Sequence, residues 1–395
     1  MKKRILFFCE NVTLAHVIRP VQLAKELNKD NYEIIFACDE HYANFIKAEG
    51  FKVIHLNSQS NKEFTDKLFY AKQLFTNSQI NNYLEEEFKI LDEINPDLVV
   101  GDFRLTLGIS CRVKNILYFS IINSRWSIYA EENVILPLMH IQKFIPFKIL
   151  NFIFPLIWPF VKKQQIKPYN KFQKKYNLPR IKNIKEMYCD ADYILYDDIP
   201  SITKLINKQD NHIFLGPVLW QPKIDFSKEI KQIPSNKKVI YFSMGSSGNL
   251  NQELIDVLSD DNYLIFMSSA GKTNNVNLPS NFIVYDFIPA LDILKKCDLS
   301  ITNGGVANYQ AFSRNVPVLM FPSNMDQYLF ADSCEKNNLG IYLRLENSNK
   351  ESIQTAINNI LNNLSIRDNV IKTKKEIDKF CSKKIFANLI DNILK

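Results

Sequence analysis

The stretch Ser300–Gln327, SITNGGVANYQAFSRNVPVLMFPSNMDQ, decides the fold. An apolar strand, a glycine turn, a helix, a second apolar strand and a loop follow one another, and an Asp-Gln pair begins the next helix. This order predicts a β-α-β unit of a parallel sheet. Its bare glycine amides suit a phosphate group, and its carboxylate–amide pair suits sugar hydroxyls. The unit therefore predicts a site for the two halves of a nucleotide-sugar.

The same alternation of strands and helices continues on both sides of this unit. It predicts an α/β fold of two doubly wound, mostly parallel sheets, because 395 residues are too many for one ordinary core. The predicted strands are Arg4–Cys9, Glu33–Cys38, Lys52–Leu56, Asp97–Asp102, Ile116–Ile122, Asp192–Tyr196, Lys238–Ser243, Tyr263–Ser268, Phe282–Tyr285, Leu299–Thr302 and Val316–Phe321.

A polar stretch divides the chain. It contains Pro222 and Pro234, many charges and no regular apolar period, which is typical of a linker. We therefore predict an N-terminal domain at 1–220, a linker at 221–237, a C-terminal domain at 238–380 and a closing helix at 381–395.

The composition excludes several classes of protein. An apolar fraction of 46% and a charged fraction of 23% are ordinary for a globular protein. The seven scattered cysteines predict reduced thiols in a cytoplasm rather than a disulfide framework or a zinc site. The net charge is +7, and we find no basic helix or aromatic–basic alternation, so no nucleic-acid partner is predicted.

The segment Val134–Val161 breaks the alternation. It is aromatic-rich, contains four prolines together with Lys143 and Lys148, and is followed by Lys162 and Lys163. A membrane-spanning helix needs about 20 uninterrupted apolar residues, so we do not predict one. Three interpretations remain open: a pair of core-packing helices, an apolar acceptor pocket, or a surface at 134–163 that rests on the inner face of a membrane.

Two residues of the N-terminal domain suggest acid–base chemistry. His16 follows the first strand, where a helix begins, and Asp102 ends another apolar strand. Doubly wound sheets bind their ligands at such strand ends. A carboxylate there can orient an imidazole and stabilise its cation during proton transfer. The alternatives are a structural His16 and an Asp102 that caps a helix starting at Leu105.

Other polar residues follow strand ends in both domains. In the N-terminal domain we expect an acceptor site lined by Asn11, Arg104, Asn123, Arg125 and Trp126, where an Arg would suit an anionic acceptor. In the C-terminal domain Ser243–Gly248, SMGSSG, follows the first strand, and its small residues allow backbone amides to approach a diphosphate.

These motifs resemble family 1 glycosyltransferases, the UDP-sugar-using enzymes of the GT-B fold. A bacterial branch of that family has Asn-Gly-Gly and Ser-Asn-Met-Asp-Gln at the places of Asn303–Gly305 and 323–327. The start His16-Val-Ile-Arg-Pro, followed by Leu23-Ala24-Lys25-Glu26-Leu27, is similar to the family's His-x-x-x-Pro…Leu-Ala-x-x-Leu opening.

The resemblance implies a fold and a reaction. Two Rossmann-like domains would face a cleft, and the last helix would cross back to the first domain. His16, assisted by Asp102, would be the base of an inverting transfer of a hexose to a hydroxyl of an apolar small-molecule or lipid acceptor. The donor would be a nucleotide diphosphate sugar, UDP first, with no metal and no cofactor. The place of Val134–Val161 would favour the acceptor pocket.

The resemblance also implies the donor contacts. Asp326 and Gln327 would bind sugar hydroxyls, although an Asp at a helix start is also a common N-cap. The remaining donor contacts would be Gly245, Ser246, Ile288, Asn303, Gly304, Gly305, Asn308 and Gln310. The chain departs from many relatives in three respects: Asn303 stands where they often have a His, Gln310 stands where they have a Glu, and the helix near Gln310 is one residue shorter.

One motif suggests a metal site. Asp190-Ala-Asp192 has the spacing of a metal-binding motif, but it precedes a strand, so we expect these carboxylates to flank the strand.

Three other functions are alternatives to the transfer described above: a nucleotide-sugar epimerase, a lipid-directed peripheral transferase and an inactive nucleotide-sugar-binding protein. The His16–Asp102 pair argues against the epimerase, and the apolar segment keeps the lipid acceptor open.

Overall fold

The structure is a computed structural model that describes residues 2–243, 245, 252–269 and 278–394. The chain divides into two compact units. Unit 1 contains Met1–Val218 and Phe380–Lys395, and unit 2 contains Leu219–Lys379. The segment 221–237, predicted as a linker, lies in unit 2 and includes a short helix.

Unit 1 is built on a seven-stranded parallel sheet with the order β3-β2-β1-β4-β5-β6-β7. Its strands are β1 (Lys3–Cys9), β2 (Tyr32–Cys38), β3 (Lys52–His55), β4 (Leu98–Asp102), β5 (Leu117–Ile122), β6 (Tyr193–Tyr196) and β7 (His212–Phe214). Its first helices are α1 (Ala15–Ala24), α2 (Glu40–Lys47), α3 (Asn61–Phe69), α4 (Asn77–Ile94), α5 (Leu107–Lys114), α6 (Phe147–Lys175) and α7 (Ile184–Tyr188).

Helices cover both faces of this sheet because the side chains of β1 alternate between two apolar cores. Phe7 packs with Val17 and Val21 of α1 on one face. Phe8 packs on the other face with residues of α4, such as Ile90. A strand that is buried on both faces reads as a continuous apolar run, which explains the sequence ILFFC of β1.

Unit 2 repeats this plan with a six-stranded parallel sheet of order β10-β9-β8-β11-β12-β13. Its strands are β8 (Lys238–Ser243), β9 (Tyr263–Ser268), β10 (Phe282–Tyr285), β11 (Leu299–Thr302), β12 (Val318–Met320) and β13 (Gly340–Tyr342). Its helices are α8 (Ser227–Lys231), α9 (Gln252–Leu258), α10 (Ala290–Ile293), α11 (Ala307–Phe312), α12 (Met325–Lys336), α13 (Lys350–Asn362) and α14 (Leu364–Ile377).

The last helix, α15 (Ser382–Ile393), lies on unit 1. The side chains of Phe386 and Ile390 are fully buried in the core around β1. The Tyr32 hydroxyl donates to Asp391 Oδ1 at 2.6 Å. The chain enters this helix beside Gly216, where φ is +79° and a Cβ would lie only 2.2 Å from the Cβ of Phe380. Only glycine fits that position.

The predicted fold class, two Rossmann-like doubly wound α/β units, is confirmed, and the predicted strands differ from the observed ones by at most two residues at an end. The edge strands β7 and β13 were not predicted. Each has only three residues, which is too short for an apolar period to show.

The apolar segment 134–161 differs from its prediction. It contains a short 3-10 helix (His140–Lys143) and then enters α6, one helix of 29 residues with Pro155, Pro159 and Pro168, rather than a pair of core-packing helices. Pro168 has no N–H to bond the Gln164 carbonyl, and the Gln73 side chain donates to that carbonyl instead, at 2.8 Å. The second half of α6 carries six lysines, so a basic helix exists where the sequence analysis found none.

The two halves of α6 have different surroundings. The second half packs on unit 1 through Ile166, Tyr169 and Phe172. The first half exposes most of its apolar side chains, which does not fit the predicted wall of an enclosed acceptor pocket. Among the described residues, no helix combines the length and apolar character needed to cross a bilayer.

Candidate active site

His16 and Asp102 lie together at the switch point of the first sheet. β1 pairs with β4 so that Cys9 stands beside Asp102, and the loop 10–14 leads from β1 to the start of α1 at Ala15. His16 Nδ1 is 2.7 Å from Asp102 Oδ1. Asp102 is fully buried, whereas the His16 side chain is 17% exposed. The alternative of a helix cap is wrong for Asp102, because α5 begins at Leu107 after Thr106.

Arg19 completes this pair, although the sequence analysis did not select it. It follows His16 by one turn of α1 and is almost completely buried. Its Nε donates to Asp102 Oδ2 at 2.9 Å and its Nη2 donates to Asp102 Oδ1 at 2.7 Å. A two-point contact of this kind fixes the carboxylate in position and orientation.

Two further groups hold the Arg19 guanidinium. Its Nη1 donates to Asp197 Oδ2 at 3.1 Å and to Asn123 Oδ1 at 3.2 Å. Burial alone would lower the pKa of Arg19, but the charges of Asp102 and Asp197 raise it above its ordinary value. Burial raises the pKa of Asp197 to about 6, against the opposing effect of Arg19. We call His16, Asp102, Arg19 and Asp197 the His16 cluster. Of the residues predicted to line the acceptor site, Asn123 contacts this cluster.

Phe103 supports the imidazole from one face. Its ring stacks on His16 with 4.9 Å between centroids and an interplanar angle of 21°. Its backbone has φ of +61°, a left-handed conformation that is rare for an aromatic residue and is found at functional sites. Because Phe103 directly follows Asp102 in the sequence, one short segment supplies both the carboxylate and the ring that stacks on His16.

The arrangement leaves His16 able to act as a base. Within the described part of the chain, Nε2 has no hydrogen-bond partner, while Nδ1 meets Asp102 Oδ1 and Arg19 Nη2 at 2.7 Å and 2.8 Å. A base at Nε2 requires the tautomer with its proton on Nδ1, and Asp102 accepts that proton's hydrogen bond. Arg19 Nη2 can then donate to Asp102 but not to Nδ1.

Arg104 does not line an acceptor site, contrary to our prediction. It is buried, with Nε donating to Glu87 Oε1 at 2.6 Å and Nη1 donating to Glu10 Oε2 at 3.1 Å. Its guanidinium carbon also lies 3.5 Å from the centroid of the Tyr83 ring. These contacts make it the centre of an internal ion-pair network. Its place after a strand end suggested a site, but its partners lie in distant parts of the sequence.

Three other residues predicted to line the acceptor site contact other side chains of unit 1. Arg125 is buried with Nη1 3.7 Å from Asp198 Oδ1, so it does not offer a free charge to an anionic acceptor. Trp126 stacks on Tyr188 with 4.9 Å between ring centroids. The Asn11 amide donates to Asp39 Oδ1 at 3.1 Å. None of these contacts includes a residue of the His16 cluster.

Several of the predicted donor-binding residues of unit 2 lie around one glycine turn. Gly304, with φ of +84°, lies so close to α12 that a Cβ would be 3.0 Å from the carbonyl oxygen of Gln327. The Asn303 side chain lies between two other glycines: a Cβ on Gly245 would be 3.5 Å from its Nδ2, and one on Gly305 would be 3.2 Å from its Oδ1. Ser246, also predicted here, is outside the described residues.

Asp326 and Gln327 begin α12 beside this turn. The N-cap is Asn324, whose side chain accepts from the Gln327 N–H at 3.0 Å, so the alternative of an Asp326 cap is wrong. Asp326 is half-buried in the first turn. Gln327 Oε1 accepts from the backbone and the hydroxyl of Ser323 at 2.9 Å and 3.0 Å, which closes the loop before the helix.

Asn308 does not offer its side chain to the nucleotide-sugar, contrary to our prediction. It is fully buried, and its Oδ1 accepts a short hydrogen bond from the Thr302 hydroxyl. Because that hydroxyl also accepts from the Gly304 N–H at 3.1 Å, Asn308 supports the glycine turn from inside. Gln310 Nε2 donates to the Trp220 carbonyl at 2.6 Å. The Ile288 side chain is buried, so its backbone rather than its side chain would meet the donor.

The Asp-x-Asp motif is engaged by protein groups. Asp190 Oδ2 accepts from the Tyr169 hydroxyl at 2.7 Å and from Gln173 Nε2 at 2.9 Å. Asp192 Oδ2 accepts from the Tyr118 N–H at 2.8 Å, beside the strand that it precedes. In the described ranges, no group of three or more His, Cys, Asp or Glu side chains has the geometry to hold a metal ion.

The chain is similar to known glycosyltransferases. A family profile described as Erythromycin biosynthesis protein CIII-like, C-terminal domain, matches residues 251–390. A PGL/p-HBAD biosynthesis glycosyltransferase of Mycobacterium tuberculosis (strain ATCC 25177 / H37Ra) is 32% identical over 370 residues, which cover 93% of this chain and 86% of that protein. A PGL/p-HBAD biosynthesis rhamnosyltransferase of Mycobacterium bovis (strain BCG / Pasteur 1173P2) is 30% identical over 374 residues, covering 93% and 82%.

A solved structure shares the fold at lower identity. The spinosyn rhamnosyltransferase SpnG complexed with thymidine diphosphate superposes with a TM-score of 0.70 at 14% identity, over 98% of this chain and 100% of that one. The relatives at 30% identity or more, which match nearly the whole chain, fix the family. The chain belongs to the family 1 glycosyltransferases of the GT-B fold, and it is a glycosyltransferase.

Proposed function

We propose that this glycosyltransferase moves a hexose, with inversion at the anomeric carbon, from a nucleoside diphosphate sugar to a hydroxyl of an apolar acceptor. The observation that carries this proposal is the 2.7 Å contact between His16 Nδ1 and Asp102 Oδ1 at the switch point of the first sheet. It orients an imidazole whose Nε2 has no partner within the described chain.

The residues then have distinct roles. His16 Nε2 takes the proton of the acceptor hydroxyl while its oxygen forms a bond to the anomeric carbon. The bond from that carbon to the diphosphate breaks, and the nucleoside diphosphate leaves with the electron pair. Asp102 holds the imidazolium that forms. The Gly304 turn would meet the diphosphate through backbone amides, and Asp326 would accept from sugar hydroxyls.

Relatives narrow the choice of substrates. The sequence resemblance favours UDP as the nucleotide, whereas a related structure contains thymidine diphosphate and one relative is a rhamnosyltransferase. A pyrimidine nucleoside diphosphate joined to a hexose or deoxyhexose fits both. The relatives named for PGL/p-HBAD biosynthesis and for spinosyn favour an acceptor with a large apolar body. The relatives named as transferases, which match nearly the whole chain, favour transfer over epimerisation or over binding without catalysis.

A panel of UDP-, dTDP- and GDP-sugars tests the donor first. Binding to the folded state raises the melting temperature in proportion to site occupancy, so the preferred nucleotide gives the largest shift. With that donor and a set of apolar alcohols and phenols, we expect release of nucleoside diphosphate and a glycoside of inverted anomeric configuration by NMR. We also expect the same rate in EDTA. A product of retained configuration would contradict the proposal.

A further inference from the structure

The segment 133–185 holds all of the chain's excess positive charge. It contains ten lysines, one arginine and neither Asp nor Glu. The whole chain has 49 basic and 42 acidic residues, so the remainder has 38 basic and 42 acidic residues and is net negative. The basic residues are Lys143, Lys148, Lys162, Lys163, Lys167, Lys171, Lys174, Lys175, Arg180, Lys182 and Lys185.

An uncovered apolar surface lies at the centre of this segment. On one side of the first half of α6, Leu150 and Phe154 are buried. The opposite side exposes Phe152 by 76%, Leu156 by 65% and Phe160 by 69%. We call the following exposed residues the α6 patch: Ile149, Phe152, Ile153, Leu156, Ile157 and Phe160.

This half of α6 is apolar around its circumference, but protein covers only one side. The patch extends over about 18 Å of helix axis at 1.5 Å per residue. Solitary exposed apolar residues are ordinary, whereas a contiguous group of this size marks a surface that contacts something else. Phe144, just before the helix, extends the apolar surface and is also largely exposed.

Three lysines flank the patch. Lys143 and Lys148 precede it, Lys163 follows it, and all three are exposed. In the part of the chain that the structure describes, none of the three pairs with a carboxylate, unlike Lys162, which pairs with Glu132. An apolar stripe bordered by uncompensated ammonium groups complements a surface that is apolar below and negatively charged above.

We propose that the α6 patch binds the surface of a membrane that contains anionic lipids. The apolar side chains enter the boundary between headgroups and acyl chains, and Lys143, Lys148 and Lys163 contact lipid phosphates. Pro155 and Pro159 fit this shallow position. Each leaves the carbonyl four residues before it without a helical donor, which water at the interface can satisfy and hydrocarbon cannot. This inference goes beyond the transfer reaction and does not depend on it.

Vesicle flotation of the full chain tests the proposal. We expect it to float with vesicles of phosphatidylcholine and phosphatidylglycerol, weakly with phosphatidylcholine alone, and less as salt is added. The triple variant Phe152→Gln, Leu156→Gln, Phe160→Gln keeps helix propensity and should bind roughly a hundredfold more weakly. The matched variant Ile206→Gln, Leu364→Gln, Ile371→Gln removes three exposed apolar side chains elsewhere and should bind like the wild type.

A second pair of variants tests the charges. Lys143→Gln, Lys148→Gln, Lys163→Gln should lose most of the preference for phosphatidylglycerol, whereas Lys372→Gln, Lys375→Gln, Lys379→Gln, with the same change in net charge on α14 and after it, should keep it. Equal binding by the α6 variant and its matched control would overturn the proposal. So would a lipid-free dimer in sedimentation that the α6 changes dissociate, because a second copy of the chain would then cover the patch.

Discussion

Arg19 and Asp102 form a buried two-point ion pair directly behind His16. Nε to Oδ2 measures 2.9 Å and Nη2 to Oδ1 measures 2.7 Å, and the same Oδ1 lies 2.7 Å from His16 Nδ1. The carboxylate that meets the imidazole is therefore already compensated by a guanidinium. It acts on His16 mainly by fixing its orientation and tautomer, since part of its charge is engaged elsewhere.

Arg19 should matter for both stability and catalysis. Arg19→Met leaves Asp102 and Asp197 buried without their cation, at a cost of about 3–5 kcal/mol in the free energy of unfolding. Arg19→Lys keeps a charge but loses the two-point contact, so its free energy of unfolding should lie between those of the wild type and Arg19→Met. Arg4→Met, which breaks an exposed ion pair with Glu33, should cost less than about 1 kcal/mol. Urea unfolding of the three variants measures the differences.

The turnover number separates a positioning role of Arg19 from a purely structural one. Arg19 holds both oxygens of the carboxylate that meets His16, so Arg19→Met should leave that carboxylate less well oriented than Arg19→Lys does. We therefore expect kcat to fall further in the Met variant, measured at a temperature where both variants are folded. A folded Met variant with the kcat of the wild type would show that Arg19 acts only through stability.

Asp197 should give the protein a distinct pH dependence of stability. Burial raises its folded pKa to about 6, whereas an unfolded Asp titrates near about 3.9. The folded state thus binds the proton more tightly, so this group's stabilisation is present below about pH 4 and is lost as the pH rises through about 6, by up to ~3 kcal/mol. Melting temperatures of wild type and Asp197→Asn should diverge over that range in favour of the variant. If the melting temperatures of the two proteins changed in parallel with pH, the raised pKa of Asp197 would be contradicted.

Phe103 should be needed for its ring rather than its backbone. Phe103→Gly removes the strain of a positive φ, worth about 1–2 kcal/mol, but also removes the ring that stacks on His16. We expect transfer to slow roughly ten- to a hundredfold because the imidazole is less well oriented. Phe103→Tyr keeps the ring and should retain most of the rate. A Gly variant as fast as the wild type would exclude the positioning role.

Gly304 should control donor binding. Gly304→Ala places a methyl group 3.0 Å from the Gln327 carbonyl and disturbs the turn expected to hold the diphosphate. Gly50→Ala is a matched control, because Gly50 has a similar φ of +78° but nothing within 4 Å of its Cβ position. Both changes should cost about 1 kcal/mol in stability, while only Gly304→Ala should weaken nucleoside diphosphate binding by calorimetry. Equal affinity in both would remove Gly304 from the site.

The sequence predicts the parts of this molecule that are encoded locally. The strands are apolar runs between helical periods, and the turn at Gly304 is visible as a glycine pair between a strand and a helix. His16 and Asp102 each follow or end such a strand, and the resemblance to the family is what favoured them over the structural alternatives. Their contact follows from the adjacency of the two strands in a doubly wound sheet.

The sequence does not show which charged side chains pair across long separations. Arg19 looks like an ordinary helical residue until Asp102 and Asp197, 83 and 178 positions away, are brought to it. Arg104 was misjudged for the same reason, since its partner Glu10 is 94 positions away. The length of α6 was not predicted because proline normally ends a helix, whereas α6 continues through Pro155, Pro159 and Pro168.

The rate of glycosyl transfer by His16→Ala, measured with the donor that shifts the melting temperature most, tests the central claim most directly. The account predicts a loss of at least about a hundredfold. Donor binding should remain intact, and His41→Ala, a change at an exposed histidine of α2, should keep the wild-type rate. Full transfer by His16→Ala would contradict the assignment of His16 as the base.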